Sequence, residues 1–130
     1  MSKNTLRIAI VGGRHFNDLN YLFDKTDSYI NLVGKAKDIT IISGGARGAD
    51  YLAYRYAVSR GYVFICFPPD PKKKSPERYH ERNNKIATFS DICIAFPLGN
   101  SRGTWYTVNL FKKANKSVYV FESLEKEGIS

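Results

Sequence analysis

At 130 residues, with 43% of them hydrophobic and 14% aromatic, the chain is the size of one domain with its own core, and wholesale disorder is excluded. Lys and Arg outnumber Asp and Glu by 20 to 12, and the resulting net charge of +8 favours anionic partners, nucleotides and nucleic acids among them. No apolar run is long enough to span a bilayer and no secretory signal precedes the first apolar run, so a cytoplasmic protein with no membrane partner is expected.

The first apolar run, residues 6–11, predicts a strand that ends in the turn Gly12-Gly13-Arg14-His15. Residues 19–33 then place Leu19, Leu22, Phe23, Ile30 and Val33 at helical spacing. A second strand is predicted over 39–42. It runs into Ser43-Gly44-Gly45-Ala46-Arg47-Gly48-Ala49-Asp50, which opens an alanine- and tyrosine-rich helix over 49–60. A strand, a glycine turn and a helix start in that order leave backbone N–H groups free at a helix N-terminus, where the dipole favours negative charge. Arg47 adds a planar donor fork suited to phosphate. The stretch therefore reads as an anion cradle.

A third strand is expected over 63–67, followed by an irregular proline- and lysine-rich loop over 68–76 that contains Lys72-Lys73-Lys74. Those lysines suit equally a solvated surface or the steering of an anionic ligand. Residues 77–88 read as a polar helix. In it Tyr79, Arg82 and Ile86 share a face, and Glu81 and Lys85 stand at the spacing of a surface ion pair. The fourth strand, 92–96, ends in Pro97-Leu98-Gly99-Asn100-Ser101-Arg102-Gly103-Thr104 before a helix over 104–114, where Thr104 is placed to cap the helix or to bond a phosphate oxygen. A fifth strand is expected over 118–121, with a polar tail from residue 122. Cys66 and Cys93 both fall in apolar runs without metal-ligand spacing and are expected to be buried, reduced thiols.

Short strands rich in Ile, Val and Phe, alternating with helices, predict an α/β fold. The expected form is a single Rossmann-like three-layer domain (1–121) with a central parallel sheet of about five strands, plus the tail 122–130. Three glycine turns, each carrying an arginine, then meet at the carboxyl edge of the sheet, where such folds bind ligands. No Gly-Lys-Ser/Thr follows any of them, so a P-loop is not indicated, and the first turn lacks the full dinucleotide fingerprint. No metal-ligand constellation is visible and no cofactor is expected. The candidate ligand-binding residues are Gly12, Gly13, Arg14, Ser43, Gly44, Gly45, Ala46, Arg47, Asp50, Arg82, Asn83, Pro97, Gly99, Ser101, Arg102, Gly103 and Thr104.

These motifs together resemble the SLOG superfamily, the Rossmann-like group that includes the lonely-guy phosphoribohydrolases and the DNA-processing protein A family. The resemblance is carried by Gly12-Gly13-Arg14, Gly44 through Asp50, Arg82-Asn83, and Phe96-Pro97-Leu98-Gly99 with Gly103-Thr104, and is nearest to small bacterial and phage members. It implies a nucleotide site at the sheet edge and, for Arg82, the catalytic position of the lonely-guy enzymes. The glutamate those enzymes use does not carry over: three residues after Thr104 stands Thr107. A carboxylate is the natural acid or base for glycosidic cleavage, whereas phosphate binding needs none.

The expected partner is thus a phosphorylated, nucleotide-derived small molecule, related to NAD, ADP-ribose or a cyclic nucleotide, that is sensed, carried or sequestered. In a phage setting it would be an immune nucleotide signal. The alternatives are a nucleotide N-glycosidic hydrolase using Arg82, and a single-stranded nucleic-acid binding protein stacking bases on Tyr51, Tyr54, Tyr56, Tyr79, Trp105 or Tyr106. The resemblance also implies a homo-oligomer, with Tyr51, Tyr54 and Tyr106 as candidate interface residues.

Overall fold

The structure, a computed structural model, describes residues 4–33 and 37–122; from residue 123 onward the expected polar tail lies outside them. Five strands and four helices alternate along the chain: β1 (Thr5–Gly12), α1 (Leu19–Val33), β2 (Asp38–Ser43), α2 (Ala49–Arg60), β3 (Val63–Cys66), α3 (Glu77–Phe89), β4 (Ile92–Phe96), α4 (Arg102–Lys113) and β5 (Ser117–Val120). All strand pairs are parallel, in the order β3-β2-β1-β4-β5. The domain is therefore the doubly wound α/β sheet that the alternation predicts.

Two apolar layers sandwich the sheet. Ile8, Ile10, Ile39, Ile41 and Phe96 pack under α1 and α2 with Phe16, Leu22, Ala53 and Tyr56, while Ala9, Val11, Ile42, Cys93 and Ala95 pack under α3 and α4 with Ile86, Val108 and Phe111. Alternate residues of β1 thus serve opposite layers, which explains why its sequence is an unbroken apolar run. Every residue of β4, which lies between β1 and β5, is buried.

The edge strands depart from expectation. Val63 is 60% exposed and Cys66 is also exposed, because β3 has a neighbour on only one side. Of the two thiols expected to be buried, only Cys93 is, and burial pushes its pKa up. Tyr56, considered for base stacking, is fully buried and its hydroxyl donates to Asp27 Oδ1. Glu81 bonds the Nζ of Lys73 at 2.6 Å rather than pairing with Lys85. Lys73 thereby anchors the loop 68–76 to α3, and Arg78 strengthens the tie by donating to the carbonyls of Lys73 and Pro71 at 2.8 and 3.2 Å. At the far end of α3, Lys116 donates to the carbonyls of Ala87, Thr88 and Ser90 at 2.7, 3.2 and 2.8 Å, satisfying acceptors that the helix cannot.

Register decides where the loops meet. Gly12 lies opposite Phe96 and Ser43 opposite Cys66, so β1 to β4 end at one edge of the sheet. The strand order reverses between β1 and β4: the chain leaves β1 toward the α1/α2 face and β4 toward the α3/α4 face. A crevice opens beyond such a reversal.

Candidate functional site

The crevice is a cavity of about 810 Å³. Its walls come from the β1 loop (Gly12, Gly13, Arg14, His15), the start of α2 (Ala46, Asp50), α3 (Tyr79, His80, Arg82, Asn83, Ile86) and the loop into α4 (Leu98 to Thr104, and Thr107). This volume is within the range of small-molecule sites. Among the candidates, Gly12, Gly13, Arg14, Ala46, Asp50, Arg82, Asn83, Gly99, Ser101, Arg102, Gly103 and Thr104 line it. Ser43, Gly44, Gly45, Arg47 and Pro97 do not. Ser43 is fully buried and its hydroxyl donates to the Ile10 carbonyl at 2.7 Å, whereas Arg47 projects into solvent.

The turn 43–50 differs in kind from the open cradle its sequence predicts. The Ala49 N–H, first in α2, donates to the Gly13 carbonyl at 3.1 Å, and the Ala46 N–H donates to Asp50 Oδ2 at 3.1 Å. The β1 loop and the protein's own carboxylate have taken these donors. Gly48, with φ of 72°, makes the first contact possible: a Cβ there would collide with the backbone of Gly13 and Arg14.

Asp50 is only 8% exposed. Burial pushes its carboxyl pKa upward, against the opposing influence of the Ala46 N–H, the adjacent Ser43 hydroxyl, the Arg82 guanidinium and the Gly44 N–H. Arg82 sits on the other side of Gly44. Its Nη1 donates to the Gly44 carbonyl at 2.6 Å and its Nε to Asn83 Oδ1 at 2.7 Å. Burial works against its charge, and Asp50 is the largest opposing influence. Arg82 is thus held rigidly at the floor of the cavity, ahead of any ligand.

The loop after β4 keeps its donors. Ser101 is the N-cap of α4, but its Oγ accepts the Leu98 N–H at 3.0 Å and donates to the Leu98 carbonyl at 2.8 Å, which folds the loop and leaves the helix start uncapped by a side chain. Thr104, a candidate cap, lies inside the helix instead. Among the described residues, the Gly103 and Thr104 N–H groups and the Thr104 hydroxyl have no protein hydrogen bond. The start of α4 therefore presents unpartnered donors to the cavity that Arg102 and Arg14 also line. Thr107, where the lonely-guy enzymes carry glutamate, also lines the cavity, and its hydroxyl donates to the Gly103 carbonyl at 3.0 Å.

His15, Tyr79, His80, Ile86 and Thr107 line the cavity but were not among the candidates. Helical spacing had already set Tyr79 and Ile86 on the face of Arg82, at i−3 and i+4, and Thr107 follows Thr104 by three, but that spacing alone did not mark them as cavity walls. His80 stacks on Tyr106, with ring centroids 4.0 Å apart and an interplanar angle of 13°, joining α3 to α4. Among the described residues, no group of three or more His, Cys, Asp or Glu side chains could hold a metal ion, and no helix is long and apolar enough to cross a membrane.

Among solved structures, the chain is similar to DNA processing protein A from Streptococcus pneumoniae, at 17% identity and a TM-score of 0.73, over 89% of this chain and 50% of that one. It is similar as well to the Helicobacter pylori DNA processing protein A, described for its single-stranded DNA binding mode, at 20% identity and a TM-score of 0.67, over 88% of this chain and 64% of that one. The chain thus spans half to two thirds of those proteins. The Moco carrier protein of Chlamydomonas reinhardtii matches at 22% identity and a TM-score of 0.67, over 95% of this chain and 81% of that one. In sequence, the chain is 26% identical over 121 residues to the Gene 61 protein of Mycobacterium phage D29, covering 88% of this chain and 95% of the phage protein. The model of YAcAr, the YspA, cpYpsA-related SLOG family, matches residues 6–73, just over half the chain, and the chain belongs to that family.

Proposed function

We propose that the cavity binds a phosphorylated, nucleotide-derived ligand without cleaving it. The observation that carries this reading is the α4 N-terminus: two free N–H groups and the Thr104 hydroxyl open onto a cavity that Arg14, Arg82 and Arg102 also line. Thr107 supports binding over cleavage, since it puts a hydroxyl already bonded to Gly103 where the hydrolases of this superfamily have a carboxylate. The ligand is of the NAD, ADP-ribose or cyclic-nucleotide kind, and the protein senses, carries or sequesters it. The likeness to a phage protein and to a carrier protein favours the last two roles.

Mass spectrometry of small molecules released from denatured protein tests this directly, followed by thermal-shift titration of the compounds identified. The expected result is an intact phosphorylated nucleotide whose re-addition raises Tm. Free base released at a rate abolished by Arg82→Ala would overturn the binding reading and establish the hydrolase. A second reading, single-stranded nucleic-acid binding, draws on the net charge of +8 and on the DNA processing proteins that share the fold. It requires steeply salt-dependent binding of oligonucleotides.

We also propose that the chain self-associates. Support comes from α2, where Tyr51 and Tyr54 are 53% and 47% exposed beside Val58 and Val63. Tyr106, packed on His80, belongs to the opposite face of the sheet and is not part of that patch.

A further inference from the structure

We propose that the chain pairs with a second copy of itself by a reciprocal exchange of cover: the outer stripe of α2 in each copy lies on an open strip of sheet beside α3 in the other. The inference rests on the self-association reading above and supplies its geometry.

The strip arises because the sheet is covered unevenly. On one side α2 packs on β1, β2 and β3. On the other, α3 packs on β1 and α4 on β1, β4 and β5, which leaves β3 at the margin. Val63, Ile65 and Phe67 alternate with Phe64 and so face that second side. Ile65 and Phe67 accordingly join the α3/α4 layer, whereas Phe64 joins the α1/α2 layer. Arg7, Thr40 and Val63 form one row across β1, β2 and β3, and the row ends in the open, with Val63 60% exposed.

Beside α3 the strip deepens into a groove of about 530 Å³, with Phe67, Phe89 and Arg7 at its floor and Asn84, Lys85 and Thr88 on its rim. Phe67 and Phe89 meet edge to face, with ring centroids 5.7 Å apart. Arg7 is already engaged: its guanidinium lies 4.7 Å from the Phe89 centroid and bonds Asp91 Oδ1 at 3.2 Å. The groove thus favours aromatic side chains with polar tips over an anion.

Such side chains stand on the other side of the same edge. Tyr56 and Arg60 face α1, where both bond Asp27. Tyr54 lies about 200° around the helix from Tyr56, and it sits edge-on to Phe64 of the edge strand. Tyr51 and Val58 share its face at i−3 and i+4, and all three are exposed. This stripe overhangs β3 from the side of the sheet opposite the strip, so α2 does not reach the strip of its own chain.

A two-fold axis parallel to the strands, beside β3, covers both surfaces at once. It turns the sheet over, so that the stripe of each copy comes to lie against the strip of the other and every contact occurs twice. About 600 Å² from each copy is then enough to reach the roughly 1,200 Å² at which specific interfaces begin. A two-fold perpendicular to the sheet would instead set α2 against α2 and leave both strips open.

Analytical ultracentrifugation of the full chain, alone and in mixtures, tests this geometry. The unaltered protein is expected to be a dimer. Tyr54→Lys on the stripe and Val63→Asp on the strip should each weaken dimerisation by about tenfold or more. An equimolar mixture of the two should recover a dimer with one copy of each, because one of its two contacts is native and the other brings the introduced lysine and aspartate together. Either variant dimerising as the unaltered protein does overturns the inference. If that variant is Val63→Asp alone, the association is α2 against α2 and the self-association reading stands. A mixture that stays monomeric overturns the inference as well, and an unaltered protein that is monomeric at every concentration overturns both. Both substituted side chains are exposed, and Val58→Lys with Thr88→Asp repeats the mixing on the same two surfaces should either variant fail to fold.

Discussion

Arg82 and Gly44 are 38 residues apart in the chain yet in direct contact, the guanidinium donating to the glycine carbonyl at 2.6 Å. The contact exists because residue 44 has no side chain. A Cβ there would stand 2.7 Å from Arg82 Cζ and 3.0 Å from Asp50 Oδ2. Glycine at this position is thus a requirement of the arginine's placement and not only of the turn.

Gly44→Ala is accordingly expected to push the guanidinium off the cavity floor. Overpacking of this kind costs about 1–3 kcal/mol of stability. Affinity for a phosphorylated ligand should also fall by about tenfold, the loss of one charge-assisted hydrogen bond. Urea unfolding and titration calorimetry read the two effects separately. Unchanged affinity in a destabilised variant would show that Arg82 does not hold the ligand.

Asp27 supplies a pH dependence. The Arg60 hydrogen bonds lower its carboxyl pKa first and foremost, with the Tyr56 hydroxyl adding to the effect and burial opposing it. A carboxyl whose pKa falls on folding contributes stability above its unfolded value, and that contribution is lost as pH falls through the folded value. The native protein should therefore lose stability below roughly pH 4. Asp27→Ala, which also strips the buried Tyr56 hydroxyl of its acceptor, should cost about 1–3 kcal/mol at neutral pH. Thermal melts from pH 7 to pH 2 should show the gap between the two proteins narrowing toward the acid end. A gap independent of pH would mean that the carboxylate charge contributes nothing.

The exposed face of α2 predicts a third outcome. Tyr54 is 47% exposed, near Tyr51 and edge-on to Phe64 at 5.4 Å. Tyr54→Lys should shift sedimentation toward the monomer at a stability cost of about 1 kcal/mol or less, the value of an aromatic pair. Unchanged sedimentation would remove this face from any assembly.

The alternation of short Ile- and Val-rich runs with helical stretches was enough to specify a parallel sheet, and α1, α2 and β4 begin and end where their patterns do. Parallel strands covered on both sides have no polar face, and their continuous hydrophobicity is readable without coordinates. The edge strand was not so readable: Val63 and Cys66 have the apolar character of a central strand, and only strand order exposes them.

The site shows the same division. Glycines and arginines at three turns were sufficient to locate the edge of the sheet where the cavity lies, because only a few residue types suit a tight turn there. The sequence by itself thereby determined the fold class and the general position of the cavity. Which N–H groups of these turns are spent within the protein was decided by tertiary structure alone. In the turn at 43–50 the Ala49 and Ala46 N–H groups are taken by the Gly13 carbonyl and by Asp50, whereas the Gly103 and Thr104 N–H groups at the start of α4 face the cavity without a protein partner among the described residues. A hydrogen-bond donor is spent or free according to what folding brings within about 3 Å of it, and partners 4 residues away (Asp50 for Ala46) and far along the chain (Gly13 for Ala49) look alike in a one-dimensional pattern.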